Sequence, residues 1–294
     1  MKKILVPTDF SFAAKGAASF AMHIAREMKA NIQLCNAIVV PVEAPAVAHV
    51  TTPLIAVNAL EEAAIAELKR SAREIETLEE FQTALGDYTP AVEYVTGIGT
   101  VPEVVSNFAN QHDVCLVVMG MSGAGGLNEF ILGSSSRTIV EKANYPVLLI
   151  PKDSQFKCLH KIAFATDLSR EDVVAIHILA GFARVFNAQL LIVHIKDKNE
   201  KMTIQHKLDI ERFLNDVTNN VNYHKIYYQY VLDKDIDEGL DWLASYGQIQ
   251  MLAMVHRKHS MMHNILKGSH TQRLKRHIGI PLMVFPQECS SWVI

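Results

Sequence analysis

The sequence predicts an α/β fold of the doubly wound kind, present as two tandem copies in one chain of 294 residues. Three observations carry that expectation. The first is an internal repeat: Ile4 to Ser11, ILVPTDFS, recurs at Ile162 to Ser169 as IAFATDLS, an offset of 158. The second is that short apolar runs alternate with helical stretches, the pattern of strands joined by crossover helices. The third is that runs such as Val114 to Met119, VCLVVM, are continuously apolar, which suits parallel strands buried on both faces.

In chain order, the first half places strands at Lys3–Pro7, Ile32–Val40, Val92–Thr96, Val114–Met119 and Val147–Ile150. The helical pattern after the first strand keeps the offset, with Ala25 and Arg26 matching Ala183 and Arg184, and Ala30 matching Ala188. A long connection, Val40 to Ala59, is mostly apolar and is stiffened by Pro41, Pro45 and Pro53. Such a segment serves as a lid, a partner surface or simple packing. The clearest helix runs from about Asn58 to Leu85, with Leu60, Ala64, Leu68, Ala72, Ile75, Leu78 and Leu85 on one side and a charged, solvated face opposite. Near the end of each half the repeat returns at a new offset of 135: Leu132, Gly133 and Ser134 match Lys267, Gly268 and Ser269, and Tyr145 to Leu148 match Ile280 to Met283. The first half is therefore longer by 158 minus 135, or 23 residues, between its second and third strands. The expected domains are residues 1–152 and 158–294, joined through Pro151 to Lys157. The last strands, Val147–Ile150 and Leu282–Phe285, are free to pair with each other and make an intramolecular pseudo-dimer. A further homo-dimer is left open.

Composition excludes several classes. With 49% hydrophobic and 20% charged residues, this is neither a disordered regulator nor a disulfide-stapled mini-protein. A net charge of -3 does not suit a general nucleic-acid binder. The balance is an average: residues 1–152 carry 11 basic and 16 acidic side chains, residues 153–294 carry 17 and 15. Cys35, Cys115, Cys158 and Cys289 show no paired spacing, which points to a reducing compartment. The basic start at Lys2 and Lys3 precedes an apolar run too short for a signal peptide, and no stretch suits a bilayer, so a cytoplasmic chain without membrane or nucleic-acid partners is expected.

The most informative segment is Met119 to Arg137, MGMSGAGGLNEFILGSSSR, between a buried strand and a helix. In a parallel sheet ligands bind outside the carboxyl ends of the strands. Glycines allow backbone amides to approach an anion, and Ser134 to Ser136 add hydroxyls at the positive end of a helix. The segment is neither a Walker loop nor GxGxxG. It also falls one residue short of the GxSxG elbow, because Ala124 replaces the final glycine.

The spacing Gly120-x2-Gly123-x9-Gly133-Ser134 resembles the nucleotide-binding pattern of the universal stress protein family in its ATP-binding branch, and the resemblance covers essentially the whole chain as two copies. It implies a five-stranded parallel sheet with helices on both faces in each copy, the adenine nucleotide alpha hydrolase-like fold. It implies that Pro7, Thr8, Asp9 and the backbone around Ala37 hold adenine and ribose. Met119, Gly120, Gly123, Gly133, Ser134, Ser135 and Ser136 would line ribose and phosphates. The implied ligand is ATP, or AMP or ADP, with Mg2+ held on the phosphates rather than by a metal site of the protein. Asp9 has a plainer reading as the N-cap of the following helix.

In the second copy Val255 stands for Gly120 and Lys258 for Gly123, side chains that close the backbone approach, although Thr166, Asp167, Gly268 and Ser269 persist. That copy is expected to be a scaffold. Trp242 to Gln287 holds no Asp or Glu but several Lys, Arg and His, so an anion could still dock there through side chains. His256, His259 and His263 have a spacing that hints at a metal, but no carboxylate or Cys completes the set. His23 and His112 read as structural. No residue reads as a dedicated catalyst. The functional expectation is a stress-response nucleotide switch, against a weak Mg-dependent ATPase or phosphotransferase and a ligand-free scaffold.

Overall fold

The computed structural model describes residues 1–40, 52–77, 88–111, 113–121, 132–152, 154–197, 202–233, 239, 243, 247–257 and 279–288. The first half runs β1 (Lys3–Pro7), α1 (Phe12–Met28), β2 (Asn31–Ile38), α2 (Thr52–Glu76), β3 (Val92–Ile98), α3 (Val101–Ala109), β4 (Val114–Gly120), α4 (Ser134–Lys142) and β5 (Val147–Ile150). The second runs β6 (Lys161–Thr166), α5 (Arg170–Val185), β7 (Gln189–Asp197), α6 (Ile204–Asn220), β8 (Ile226–Asp233), β9 (Met251–Val255) and β10 (Leu282–Phe285).

The ten strands form one sheet in the order β3-β2-β1-β4-β5-β10-β9-β6-β7-β8. Within each half every pair is parallel. The halves meet where β5 and β10 pair antiparallel, Leu149 opposite Leu282 and Val147 opposite Val284. Both strands are fully buried. Pairing the two ends in this way removes two exposed strand edges from one chain. The apolar cores on both faces cross the join. Leu148 and Met283 belong to the face covered by α1, α2, α5 and α6, while Leu149 and Leu282 belong to the other face, with residues of α3 and α4. Phe156, in the join, stacks on His23 at 4.4 Å and meets Phe20 edge-on at 5.0 Å, so His23 has a packing role.

Several sequence boundaries shift. The helix expected from Asn58 to Leu85 is α2, Thr52–Glu76, and the end of that expectation, 78–85, lies outside the described residues. Its buried stripe is Ala64, Leu68, Ala72 and Ile75, whereas Leu60 is 45% exposed. Residues 52–59 of the supposed connection therefore belong to the helix, and 41–51 lie outside the described residues. Strand pairing also refines the length difference. Ile32 pairs with Val92 and Leu190 with Ile226, so the offset falls from 158 to 134 between the second and third strands, and Ile4–Leu116 against Ile162–Met251 restores it to 135. The excess there is 24 residues, with one returned before the fourth strand. No helix among the described residues is long and apolar enough to cross a membrane.

Candidate functional site

The strand order within the first half reverses between β1 and β4, which opens a crevice at the carboxyl ends of these strands. A cavity of about 210 Å³ lies there. It brings together ten residues singled out from the sequence: Pro7, Thr8, Asp9, Ala37, Met119, Gly120, Gly133, Ser134, Ser135 and Ser136. Gly123, the eleventh, lies outside the described residues.

The turn after β1 is built by its own side chains. Thr8 Oγ1 accepts from the Phe10 amide at 3.0 Å, and Asp9 Oδ1 accepts from the Ser11 amide at 3.0 Å. These bonds hold Phe10 at a φ of 62, a left-handed conformation that costs a non-glycine residue about 1 kcal/mol. The helix cap is Ser11, whose Oγ accepts from the Ala14 amide at 3.2 Å, so the reading of Asp9 as N-cap is wrong. Two residues too early for that role, Asp9 is exposed at the cavity rim and has no ion-pair partner among the described residues. Asn36 Nδ2 donates to the Thr8 carbonyl at 2.8 Å and ties the end of β2 to this turn.

The opposite wall is apolar: Val101, Val104 and Val105 of α3 face the cavity. Their i, i+3, i+4 spacing was the available sequence signal, and it was missed. The start of α3 is fixed by Glu103 Oε2, which accepts from the Thr100 amide at 3.0 Å and from its hydroxyl at 2.7 Å. Those bonds hold the Glu103 carboxyl below its ordinary range. Cys35 also lines the cavity, but burial pushes its thiol up to about 12, which keeps it inert.

The floor is the amino end of α4. Gly133 occupies the N-cap and offers no side-chain cap, so the first amides of the helix remain available for an anion. Ser134 is exposed and Ser135 half-buried, and neither hydroxyl has a hydrogen-bond partner among the described residues. Ser136 differs from expectation: it is buried and its Oγ donates to the Gly120 carbonyl at 3.2 Å, which fixes α4 to the end of β4. Gly120 also has a reason other than the one expected. A Cβ there would stand 3.1 Å from the backbone carbon and oxygen of Ala13, so this glycine lets the first turn of α1 rest against β4.

The second half is an internal comparison. Its turn repeats the first: Leu168 has a φ of 66, its amide donates to Thr166 Oγ1 at 2.9 Å, and the Ser169 amide donates to Asp167 Oδ1 at 3.1 Å. Val255 is buried in the place of Gly120, because Phe285 pairs with Val255 as Ile150 pairs with Gly120. Arg257 enters this crevice. Its Nη1 lies 3.1 Å from both oxygens of Asp167, and its Nη2 lies 2.5 Å from Asp172 Oδ1. Asp172 is fully buried, its Oδ2 accepts from Thr166 Oγ1 at 2.6 Å, and burial pushes its carboxyl up to about 6 against the pull of Arg257. The matching position in the first half is Ala14, which lines the cavity. An internal guanidinium thus occupies the second crevice. Lys258, His259, His263, Gly268 and Ser269, like His112 in the first half, lie outside the described residues.

Comparison with known proteins bears on both halves. The family model described as the universal stress protein family matches residues 1–151 and again 159–286. Among curated proteins, a universal stress protein of Methanocaldococcus jannaschii is 30% identical over 153 residues, 51% of this chain and 82% of its own length. One from Bacillus subtilis is 27% identical over 150 residues, 50% of this chain and 97% of its own length. Among solved structures, a universal stress protein from Archaeoglobus fulgidus DSM 4304 superposes with a TM-score of 0.64 at 13% identity, covering 97% of this chain and 96% of its own. This last likeness is one of fold.

Proposed function

The chain belongs to the universal stress protein family, and from that premise we propose that its first half binds one adenine nucleotide, ATP or its ADP and AMP relatives, as a regulatory switch, while its second half is a scaffold. One observation carries the reading: the crevice of the first half combines an apolar wall, an exposed carboxylate and an uncapped helix amino end, whereas Arg257 fills the matching crevice. The three valines suit the face of a base. Asp9 suits the ribose hydroxyls or the edge of the base. The α4 amides with Ser134 and Ser135 suit phosphate oxygens. Among the described residues no cluster of three or more His, Cys, Asp or Glu is available for a metal, so Mg2+ would be held by the phosphates and water. It would supply charge neutralisation there. A cytoplasmic location and domain limits at 1–152 and 158–294 are part of the same proposal.

Ser134→Glu tests it, because the two effects of that change have opposite signs. A carboxylate at the amino end of α4 favours the helix dipole and stabilises the ligand-free chain by about 0.3–1 kcal/mol. Placed about 5 Å from a phosphate charge at an effective dielectric of about 20, it repels the ligand by about 3 kcal/mol, roughly a hundredfold in affinity. The expected result is a thermal midpoint equal to or above that of the unmodified chain, with Mg-ATP no longer raising it. Unchanged ATP affinity would remove the phosphate from this end of the crevice.

A further inference from the structure

The second half sets a half-buried histidine, His206, against a buried one, His194, and the proposed function uses neither. His194 lies on β7 in the repeat position of Asn36, and both side chains bond the carbonyl at the same place in the turn. His194 is 8% exposed, and its Nδ1 lies 2.9 Å from the Thr166 carbonyl oxygen. A carbonyl only accepts, so Nδ1 carries the proton and Nε2 presents a lone pair. His206, in the first turn of α6, faces it with ring centres 5.2 Å apart. Among the described residues Nε2 of both rings is buried without a hydrogen-bond partner, as is Tyr228 Oη on β8. The ring of Tyr230 closes the group at 5.8 Å from His194 and 6.3 Å from His206.

We infer that His194 and His206 form a site for a borderline divalent transition-metal ion of the zinc class. The separation of the rings supports a common ion. With a metal–nitrogen bond of about 2.0–2.1 Å, an imidazole centre stands about 3.2 Å from the metal, and two centres at the tetrahedral angle are about 5.2 Å apart, against about 6.4 Å for a linear pair. The observed 5.2 Å is the tetrahedral value. A histidine that gives its other N–H to a backbone carbonyl is in the arrangement that orients metal ligands and raises their basicity. The first half has nothing to hold at this place. Asn36 is satisfied by the Thr8 carbonyl, and Thr96 Oγ1, in the sheet position of Tyr230, donates to Glu61 at 3.2 Å. No third His, Cys, Asp or Glu joins the pair among the described residues, so water or a tyrosine hydroxyl completes the shell. Lys196 opposes positive charge at His194 and weakens the hold on a cation.

Cobalt(II) reads such a site directly, because tetrahedral coordination gives intense visible absorption. The chelator-treated full chain is titrated with Co2+ and then with Zn2+, next to His194→Asn, which copies the first half, and His206→Asn. Circular dichroism of the metal-free proteins confirms that both variants fold. The unmodified chain is expected to bind one Co2+ with tetrahedral bands, to release it to Zn2+, and to lose at least tenfold in affinity with either substitution. Absence of the bands would mean that ordered water alone occupies the place. Equal binding by all three proteins would assign the metal to other histidines. Either result overturns the inference.

Discussion

Replacing Arg257 by Gln strips Asp172 of the one cation within 3 Å of it among the described residues while leaving it fully buried. Breaking a buried ion pair from one side costs about 3–5 kcal/mol, because the remaining charge keeps its desolvation penalty. That is a large part of the 5–15 kcal/mol that holds a domain together. The loss carries a pH signature. Asp172 in the folded chain sits at about 6 against an ordinary 3.8, so the folded state holds a proton that the unfolded chain has released between about pH 4 and pH 6. Its contribution to stability therefore falls as pH rises through that window. Without Arg257, which pulls the value down, the window extends upward. The deficit of the variant should grow from pH 5 to pH 8, approaching about 1.4 kcal/mol for each unit by which the carboxyl has moved. Urea unfolding followed by circular dichroism at pH 5, 6, 7 and 8 measures it. A double variant, Asp172→Ala with Arg257→Ser, copies Ala14 and Ser122 of the first half and should recover most of the loss. A deficit below about 1 kcal/mol, or one independent of pH, would refute the reasoning.

Other perturbations follow from the same geometry. Gly120→Val installs the residue of the second copy, but its Cβ meets the Ala13 backbone at 3.1 Å, so a cost of about 1–3 kcal/mol and weaker ATP binding are expected in thermal-shift and binding titrations. Burial lowers the His194 pKa from 6.5, so stability is fully present above pH 6.5 and declines as pH falls below it. His194→Asn should abolish that component of the acid-side slope in urea unfolding while keeping the bond to Thr166. Leu149→Asp places a carboxylate in the fully buried β5–β10 join and should destabilise the chain by more than 3 kcal/mol, with higher oligomers in size-exclusion chromatography as the two strand edges open.

The parts of the fold that were legible in the sequence are those set by local pattern. Continuous apolar runs marked the central strands, and the repeat of ILVPTDFS marked the two turns where Phe10 and Leu168 adopt the same left-handed conformation. Ten of the eleven residues expected to share a crevice do so because strand ends and the helix that follows are fixed by the fold once the strand order is known. What stayed hidden depends on partners distant in sequence. Nothing near Gly120 reveals that Ala13 presses on it, and nothing near Asp172 reveals a guanidinium 85 residues later. Arg257 was visible as one cation among several, and only the structure shows it inside the second crevice. The extra cavity wall was readable in principle from Val101, Val104 and Val105, a short apolar face at helical spacing. The misplaced start of α2 has a physical reason as well: Pro53 looks like a breaker but sits in the first turn, where its missing amide proton is no loss.

The central claim is one working nucleotide site per chain. Native mass spectrometry of the purified protein with Mg-ATP counts it directly. The expected result is a single nucleotide per chain, lost when Gly123 is replaced by a bulky residue and retained when Lys258 is. No bound nucleotide, two per chain, or equal loss with both substitutions would contradict the account.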